Sequence, residues 1–327
     1  MRLTPSGLSQ EDGYTLPFLP AFGDSVLRGI GQVMLQDNSY AGLLFLVGIF
    51  YNSRVFGVGA LAGAAVSTAT ALLLKADRAQ VRAGLFGFNG ALVAIALLYF
   101  LRTDALAWAY VVLASAFSSV LMAALSRLLS TWKAPALTAP FVLTALLFLL
   151  ACARFGRLHP THILPTAGLP KEAMVEGIVT GATVLQGLFN GLAQVFFQSS
   201  AVTGAFFATG LLVSSRKAFV AALLGSFAGL AVGWGMGAAE PAIRAGAFGF
   251  NPVLTAIALG GVFFAVDRAS IAYAALGTVA TAIVFAAVSA ALQPVGMPAL
   301  TAPFVLVTWV FVLAAPVFPR LRAPSGA

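Results

Sequence analysis

Hydrophobic residues along this 327-residue chain fall into long blocks separated by short polar gaps. Most blocks have about 15 to 25 residues, the length that an α-helix needs to cross roughly 30 Å of hydrocarbon, and the one near 29–35 is shorter and more polar. The pattern therefore predicts an all-α polytopic membrane protein. Twelve segments are predicted in two groups of six, near 29–35, 40–53, 55–74, 84–101, 105–126 and 136–153, then near 184–198, 202–213, 218–236, 246–266, 269–292 and 298–318.

Polar stretches divide the chain into five parts. We expect a polar N-terminal tail at 1–20 and a C-terminal tail at 319–327. Two membrane halves are expected at 21–153 and 181–318, joined by a proline-containing connection at 154–180. The N-terminal tail has no continuous apolar run, so it does not resemble a cleaved signal peptide.

Three motifs occur twice at nearly constant spacing. Such repeated membrane halves usually place a substrate site near the bilayer midplane, between the repeats. The residues alone leave open whether the halves are parallel or inverted. The repeats are Gly29, Gln32, Val33 and Gln36 with Gly191, Gln194, Val195 and Gln198; the stretch 82–89 with 244–251; and the unchanged string Pro-Ala-Leu-Thr-Ala-Pro-Phe-Val-Leu at 135–143 and 298–306.

Composition removes several classes of function. The chain is 60% hydrophobic and 9% charged, whereas soluble proteins average about 25% charged residues. Its net charge is +8, but the basic residues are scattered between apolar blocks, so loops and lipid headgroups explain them and no nucleic-acid partner is expected. The single Cys152 excludes an internal disulfide and a cysteine-built metal site.

The polar residues at membrane depth are uncharged, and they occur in repeated pairs. Any one pair is typical of hydrogen bonding between helices, but three pairs brought toward one axis predict a polar path. A path without carboxylates or ammonium groups favours a small neutral solute over an ion, and passive flow over proton or sodium coupling. The pairs are Gln32 with Gln194, Asn89 with Asn251, and Thr138 with Thr301.

The duplicated motifs, together with Gly-Leu-Phe-Gly-Phe-Asn-Gly-x-Leu-Val at 84–93, resemble the urea transporter family over about residues 24–318. The resemblance implies two homologous inverted halves, each with five transmembrane helices and one re-entrant half-helix, and a pore at the pseudo-two-fold axis. It also implies a homotrimer in the lipid bilayer of the cell membrane, in bacteria the inner membrane. Its function would be passive, channel-like transport of urea or a related small amide, with no cofactor.

The resemblance also implies which residues line the pore. Glutamines and valines would stand at the entrances, phenylalanines and leucines would form flat walls, and threonine hydroxyls with backbone carbonyls would accept the N–H groups of urea. Similar proteins commonly have an aromatic residue at the position of Leu35, and Pro252 is a second departure, which allows a selectivity shifted toward a related amide or water. The implied residues are Gln32, Val33, Leu35, Phe88, Leu92, Thr138, Gln194, Val195, Phe197, Phe250, Leu254 and Thr301.

Two alternatives come from other classes of protein. A channel for ammonia, water or another neutral solute is the nearer one, but an ammonium channel should carry intramembrane histidines, and His159 and His162 lie in the connection between the halves. Aquaporin-like channels use paired Asn-Pro-Ala turns, which only 250–252 approaches. An intramembrane enzyme needs a nucleophile with a base, or a metal cluster, so we expect no catalytic or metal-ligating residue.

Overall fold

The computed structural model describes residues 18–170 and 174–322. Within these ranges the chain is helical and forms no β-strand; an isolated bridge joins Leu101 and Pro160. The first seven helices are α1 (Phe18–Gln32), α2 (Ser39–Asn52), α3 (Arg54–Leu73), α4 (Arg78–Arg82), α5 (Gly87–Phe100), α6 (Ala105–Ser130) and α7 (Ala139–Cys152). The next seven are α8 (Gly181–Ala193), α9 (Ala201–Ser214), α10 (Arg216–Gly235), α11 (Glu240–Arg244), α12 (Phe250–Ile257), α13 (Arg268–Leu292) and α14 (Ala302–Ala314).

Short polar side chains in the gaps between apolar blocks start the helices. Each accepts a hydrogen bond from a backbone N–H in the first turn, which stabilises a helix start by about 1 kcal/mol. The same type of cap occurs at corresponding helices of the two groups. The caps are Asn38, Ser53 and Asp104 on α2, α3 and α6, and Ser200, Ser215 and Asp267 on α9, α10 and α13.

Only some of the apolar blocks form helices long enough to cross a bilayer alone. Within the described ranges these are α3, α6, α10 and α13. The segment from α8 to Phe196 and α9 are long and apolar enough together, but they bend by 74°. The predicted block 246–266 contains α12, which gives way to a π-helical turn at Ala258–Val262. Glycine and proline at the block ends break the regular helices.

The buried centre consists of the two short helices α5 and α12. Helix α5 packs against α3, α6, α1 and α7, and α12 packs against α10 and α13. The approach of α3 to α5 requires glycine, since a Cβ atom on Gly63 would lie 2.2 Å from the carbonyl oxygen of Gly90. The two groups of helices join where α2 packs on α9, with the Thr203 hydroxyl donating to the Gly48 carbonyl.

Candidate functional site: a threonine pair beside an uncharged cavity

The repeated threonines meet in the buried centre of the molecule. Thr138 Oγ1 and Thr301 Oγ1 lie 2.7 Å apart and form a hydrogen bond. Both residues are buried, with 2% and 3% of their surface exposed. Residues separated by 163 positions in the sequence thus present two hydroxyl groups to one point.

Local sequence explains why these hydroxyls are free to meet. Thr138 occupies the N-cap position of α7, where its oxygen would ordinarily accept from the second or third N–H of the helix. Pro140 has no N–H at the second position, and the N–H of Phe141 at the third donates to Asn89 Oδ1 (3.0 Å). Asn89 therefore caps α7 from α5, and Thr138 keeps its hydroxyl available.

The second copy has the same arrangement. The N–H of Phe304 donates to Asn251 Oδ1 (3.1 Å), Pro303 removes the other donor, and Thr301 makes no capping bond. Both asparagines are fully buried. They serve as helix caps beside the two threonines, and Asn251 Nδ2 also donates to the Leu300 carbonyl (3.1 Å).

The backbone before each threonine is held in an uncommon conformation. Leu137 and Leu300 have φ angles of 52° and 50°, in the left-handed region that non-glycine residues seldom adopt. Such a conformation costs about 1–3 kcal/mol and persists only where the surroundings enforce it. In both copies, the residue before the threonine is therefore strained in the same way.

The repeated glutamine–valine motifs also form matching turns. Leu35 and Phe197 both have φ 60°, and the buried amides of Gln36 and Gln198 donate to carbonyl oxygens two residues earlier. Val33 and Val195 are buried at these turns. The glutamines ahead of them differ in their contacts: Gln32 Nε2 donates to the Ala83 carbonyl (2.8 Å), and Gln194 Nε2 donates to Ser199 Oγ (2.9 Å).

A cavity of about 290 Å³ lies beside the threonine pair. This volume is near the lower end of the roughly 300–1,000 Å³ that is usual for small-molecule sites. Its lining is mostly aromatic and aliphatic, with an amide, hydroxyls and no charged side chain. The lining residues are Tyr99, Phe100, Ile163, Pro165, Gln194, Val195, Phe197, Phe250, Phe285, Ser289 and 298–301.

Aromatic rings surround Phe197 at this cavity. Its ring centroid lies 5.5 Å from that of Tyr99 and 6.0 Å from that of Phe100, the latter in an edge-to-face arrangement. The Phe141 ring lies 6.2 Å away. These contacts hold the Phe197 ring in place against helices of the first group.

The twelve residues implied to line a pore divide into two sets. Gln194, Val195, Phe197, Phe250 and Thr301 line the cavity. Thr138 does not line it but is hydrogen-bonded to Thr301, which does. The others do not line this cavity: Gln32 and Leu35 are partly exposed, and Val33, Phe88, Leu92 and Leu254 are packed in the core.

Several cavity residues were missed by sequence analysis. Ile163 and Pro165 belong to the connection between the halves, where low hydropathy gave no reason to expect a role in the site. Phe285 and Ser289 lie on α13 outside the repeated motifs. By contrast, residues 298–300 lie within the duplicated string, and this repeat could have identified them as part of the site.

Comparison with known proteins identifies the family. The sequence profile described as "Urea transporter" matches residues 23–316, which is most of the chain. The chain belongs to the urea transporter family. Relatives include Urea transporter 1 of Ovis aries, 33% identical over 296 residues that cover 89% of this chain and 77% of the relative. Urea transporter 1 of Rattus norvegicus is 33% identical over 301 residues, covering 91% and 78%.

Family membership and the apolar helices together make this an integral membrane protein. The match includes both duplicated strings, both threonines and both asparagines, because all lie within 23–316. The predicted resemblance to the urea transporter family is thereby confirmed, and the protein is a transporter-family member and not an enzyme.

Proposed function

We propose that this protein conducts urea passively across the membrane through a path that passes the Thr138–Thr301 pair. The hydroxyl pair carries the proposal, because it sets two uncharged hydrogen-bonding groups in a buried position beside an uncharged cavity. The printed names of the relatives, Urea transporter 1, support urea as the solute.

The hydroxyl pair suits a solute that must bind and leave. Two oxygens 2.7 Å apart leave no room between them, so urea passes alongside and exchanges the threonine–threonine bond for bonds to its own N–H and C=O groups. Each hydrogen bond contributes only about 0.5–1.5 kcal/mol net. The exchange is then close to balanced, which meets the requirement that conduction needs weak binding.

The remaining implied residues complete the proposed path. Gln32, Val33 and Leu35 form one entrance, and Gln194, Val195 and Phe197 form the other. Phe88 and Leu92, with Phe250 and Leu254, form the walls. Matching φ angles at Leu35 and Phe197, and at Leu137 and Leu300, support this assignment of equivalent roles.

We further propose the finer architecture that the resemblance implies. The two groups of helices are inverted relative to each other about a pseudo-two-fold axis through the threonine pair, each with five spanning helices and one re-entrant helix. Three subunits assemble, each with its own path, in the bacterial inner membrane.

Stopped-flow light scattering on proteoliposomes tests the proposed function. After a hyperosmotic urea step, vesicles with the protein should reswell much faster than empty vesicles, and faster than the same vesicles given glycerol. Imposed proton or sodium gradients should leave the urea rate unchanged. Equal rates for urea, formamide, ammonia and glycerol would contradict the proposed selectivity, and urea accumulation against its own gradient would contradict passive flow.

A further inference from the structure

A second cavity, on the outer side of the second helix group, lies away from the threonine pair. It occupies about 680 Å³ between α10, the end of α12 and α13, and its lining is almost wholly apolar. The side chains of Arg216 and Lys217 lie at one end. Both are exposed, and in the described ranges neither forms an ion pair with an acidic side chain.

The corresponding place in the first helix group is filled. A Cβ atom on Gly59 would lie 2.5 Å from Leu98 Cδ1, so the leucine side chain packs directly on this glycine. The residue 162 positions after Gly59 is Ala221, and the residue 162 positions after Leu98 is Gly260. A Cβ atom on Gly260 would meet only the Ala221 side chain, at 3.7 Å. Loss of the leucine side chain therefore opens the second cavity.

The π-helical turn at Ala258–Val262 lies at the same place and also distinguishes the second helix group from the first. The repeat spacing is 162 residues up to Asn251 and 163 from Asp267 onward, so one extra residue lies between them. A π-turn accommodates one extra residue within a helix, and such turns are frequent at functional sites. With the other spacing, the counterpart of Leu98 is Gly261, which also has no side chain.

The dimensions of the cavity match one lipid chain. Along α10 it extends from Arg216 to Ala228, which is about 18 Å at 1.5 Å per residue. One leaflet contributes about half of the roughly 30 Å hydrocarbon core. The two basic side chains at one end complement a phosphate group, and basic pockets between transmembrane helices bind anionic headgroups. The first group has Val55 at the position of Lys217 and so has one basic residue fewer.

We propose that this cavity binds an anionic phospholipid, with one acyl chain in the groove and the phosphate group held by Arg216 and Lys217. The site is independent of the solute path, because it shares no lining residue with the cavity beside the threonine pair. It adds a lipid-binding site to one helix group of the protein.

Native mass spectrometry of the full chain, titrated with phosphatidylglycerol or phosphatidylcholine, tests this site. The unmodified protein should bind one phosphatidylglycerol per chain in preference to phosphatidylcholine. The variant Arg216→Gln/Lys217→Gln should lose this preference, by about fivefold in affinity per charge removed, which corresponds to about 1 kcal/mol each. Gly260→Leu should reduce the binding of both lipids, because its side chain fills the groove as Leu98 fills the first.

Arg54→Gln is the matched control, since it removes a basic residue at the position of Arg216 in the first group, where the groove is filled. It should leave lipid binding unchanged. Unaltered phosphatidylglycerol binding in Gly260→Leu, or in the double variant, overturns the proposal. A change of oligomer mass in Gly260→Leu without a change in lipid count also overturns it, because a second copy would then occupy the groove. Since no urea is present, the result is separate from the transport test.

Discussion

The two glutamine–valine turns, at 32–38 and 194–200, share a backbone but differ in their surroundings. Beside the first turn, Arg28 forms ion pairs with Asp24 and Asp37, both at 2.7 Å. Beside the second, the residues at the same repeat positions are Gln186, Asn190 and Ser199, all uncharged.

The second turn also has Phe197, whose ring packs against Tyr99, where the first has Leu35. The difference shows which features the two copies hold in common. Backbone conformation and the threonine pair are alike, whereas the side chains around the proposed entrances differ. If the proposed path has one constriction between unlike entrances, selectivity changes near Phe197 should not be mirrored at Leu35.

The largest expected effect is at the threonine pair. Thr138→Val should lower urea permeability about tenfold, because it removes one hydroxyl and leaves Thr301 buried without a partner, which costs about 1–3 kcal/mol. Thr301→Val should have the same effect if the two copies are equivalent at this point. Stopped-flow light scattering measures permeability, and thermal unfolding measures stability.

The double variant Thr138→Val/Thr301→Val serves as the control for this prediction. It removes both hydroxyls together, so stability should recover toward that of the unmodified protein while urea permeability stays low. Recovery of permeability along with stability would show that the pair has only a structural role. Unequal single variants would show that the two copies differ even here.

The next largest effect on stability and urea permeability is expected from removing the asparagine caps of α7 and α14. Asn89→Ala leaves the Phe141 N–H free to bond with Thr138, so the hydroxyl is drawn away from Thr301. Stability should fall by about 1–3 kcal/mol, the usual cost of losing a buried polar partner, and urea permeability should fall with it. Asn251→Ala tests the second copy in the same way, and unchanged permeability in both would contradict the link between cap and hydroxyl.

A smaller effect, on selectivity, is expected when the residues Leu35 and Phe197 are exchanged between the two turns. Phe197→Leu gives the second turn the residue of the first, and Leu35→Phe does the reverse. Leucine and phenylalanine already occupy the same φ of 60° here, so neither exchange adds backbone strain. Phe197→Leu should raise methylurea permeability relative to urea several-fold, because ring contacts with Tyr99 and Phe100 are lost. An equal gain in Leu35→Phe would contradict the proposed asymmetry.

Features set by neighbouring residues in the sequence could be predicted, whereas contacts between residues far apart in the sequence could not. Helices such as α3 and α10 were predicted closely because an apolar run is a local signal. The family was predicted because duplicated strings identify it. The capping of α7 by Asn89, in contrast, joins residues 52 positions apart. No local pattern distinguishes such a cap from a pore residue.

The residues that line the cavity could likewise be predicted only in part. Thr301 was predicted because its motif is repeated, whereas Phe285 is one of 27 phenylalanines and has no repeated motif around it. Ile163 lies in the connection between the halves, and it reaches the cavity because backbone bonds fix this segment to the end of α5. Thr161 N–H donates to the Phe100 carbonyl (2.7 Å), and Arg102 N–H donates to the His159 carbonyl (2.9 Å).

The smallest predicted effect is a change in stability on removing an ionic contact away from the threonine pair. In the second helix group, the buried Glu240 accepts hydrogen bonds from Thr183 and Arg244, and these contacts lower the pKa of its carboxyl below the ordinary value of 4.5. A lowered pKa means that the carboxylate stabilises the fold above about pH 4.5 and loses this contribution as pH falls toward the folded pKa.

Glu240→Gln should therefore lower the Tm modestly at pH 7, and the difference from the unmodified protein should shrink as the pH falls below 4.5. Asp24→Asn is the matched control in the first helix group, where the ion pair with Arg28 is partly exposed. Such pairs contribute about 0–1 kcal/mol, so its Tm should change less. A Tm difference for Glu240→Gln that persists unchanged into acid would show that this carboxylate contributes through packing and not through its charge.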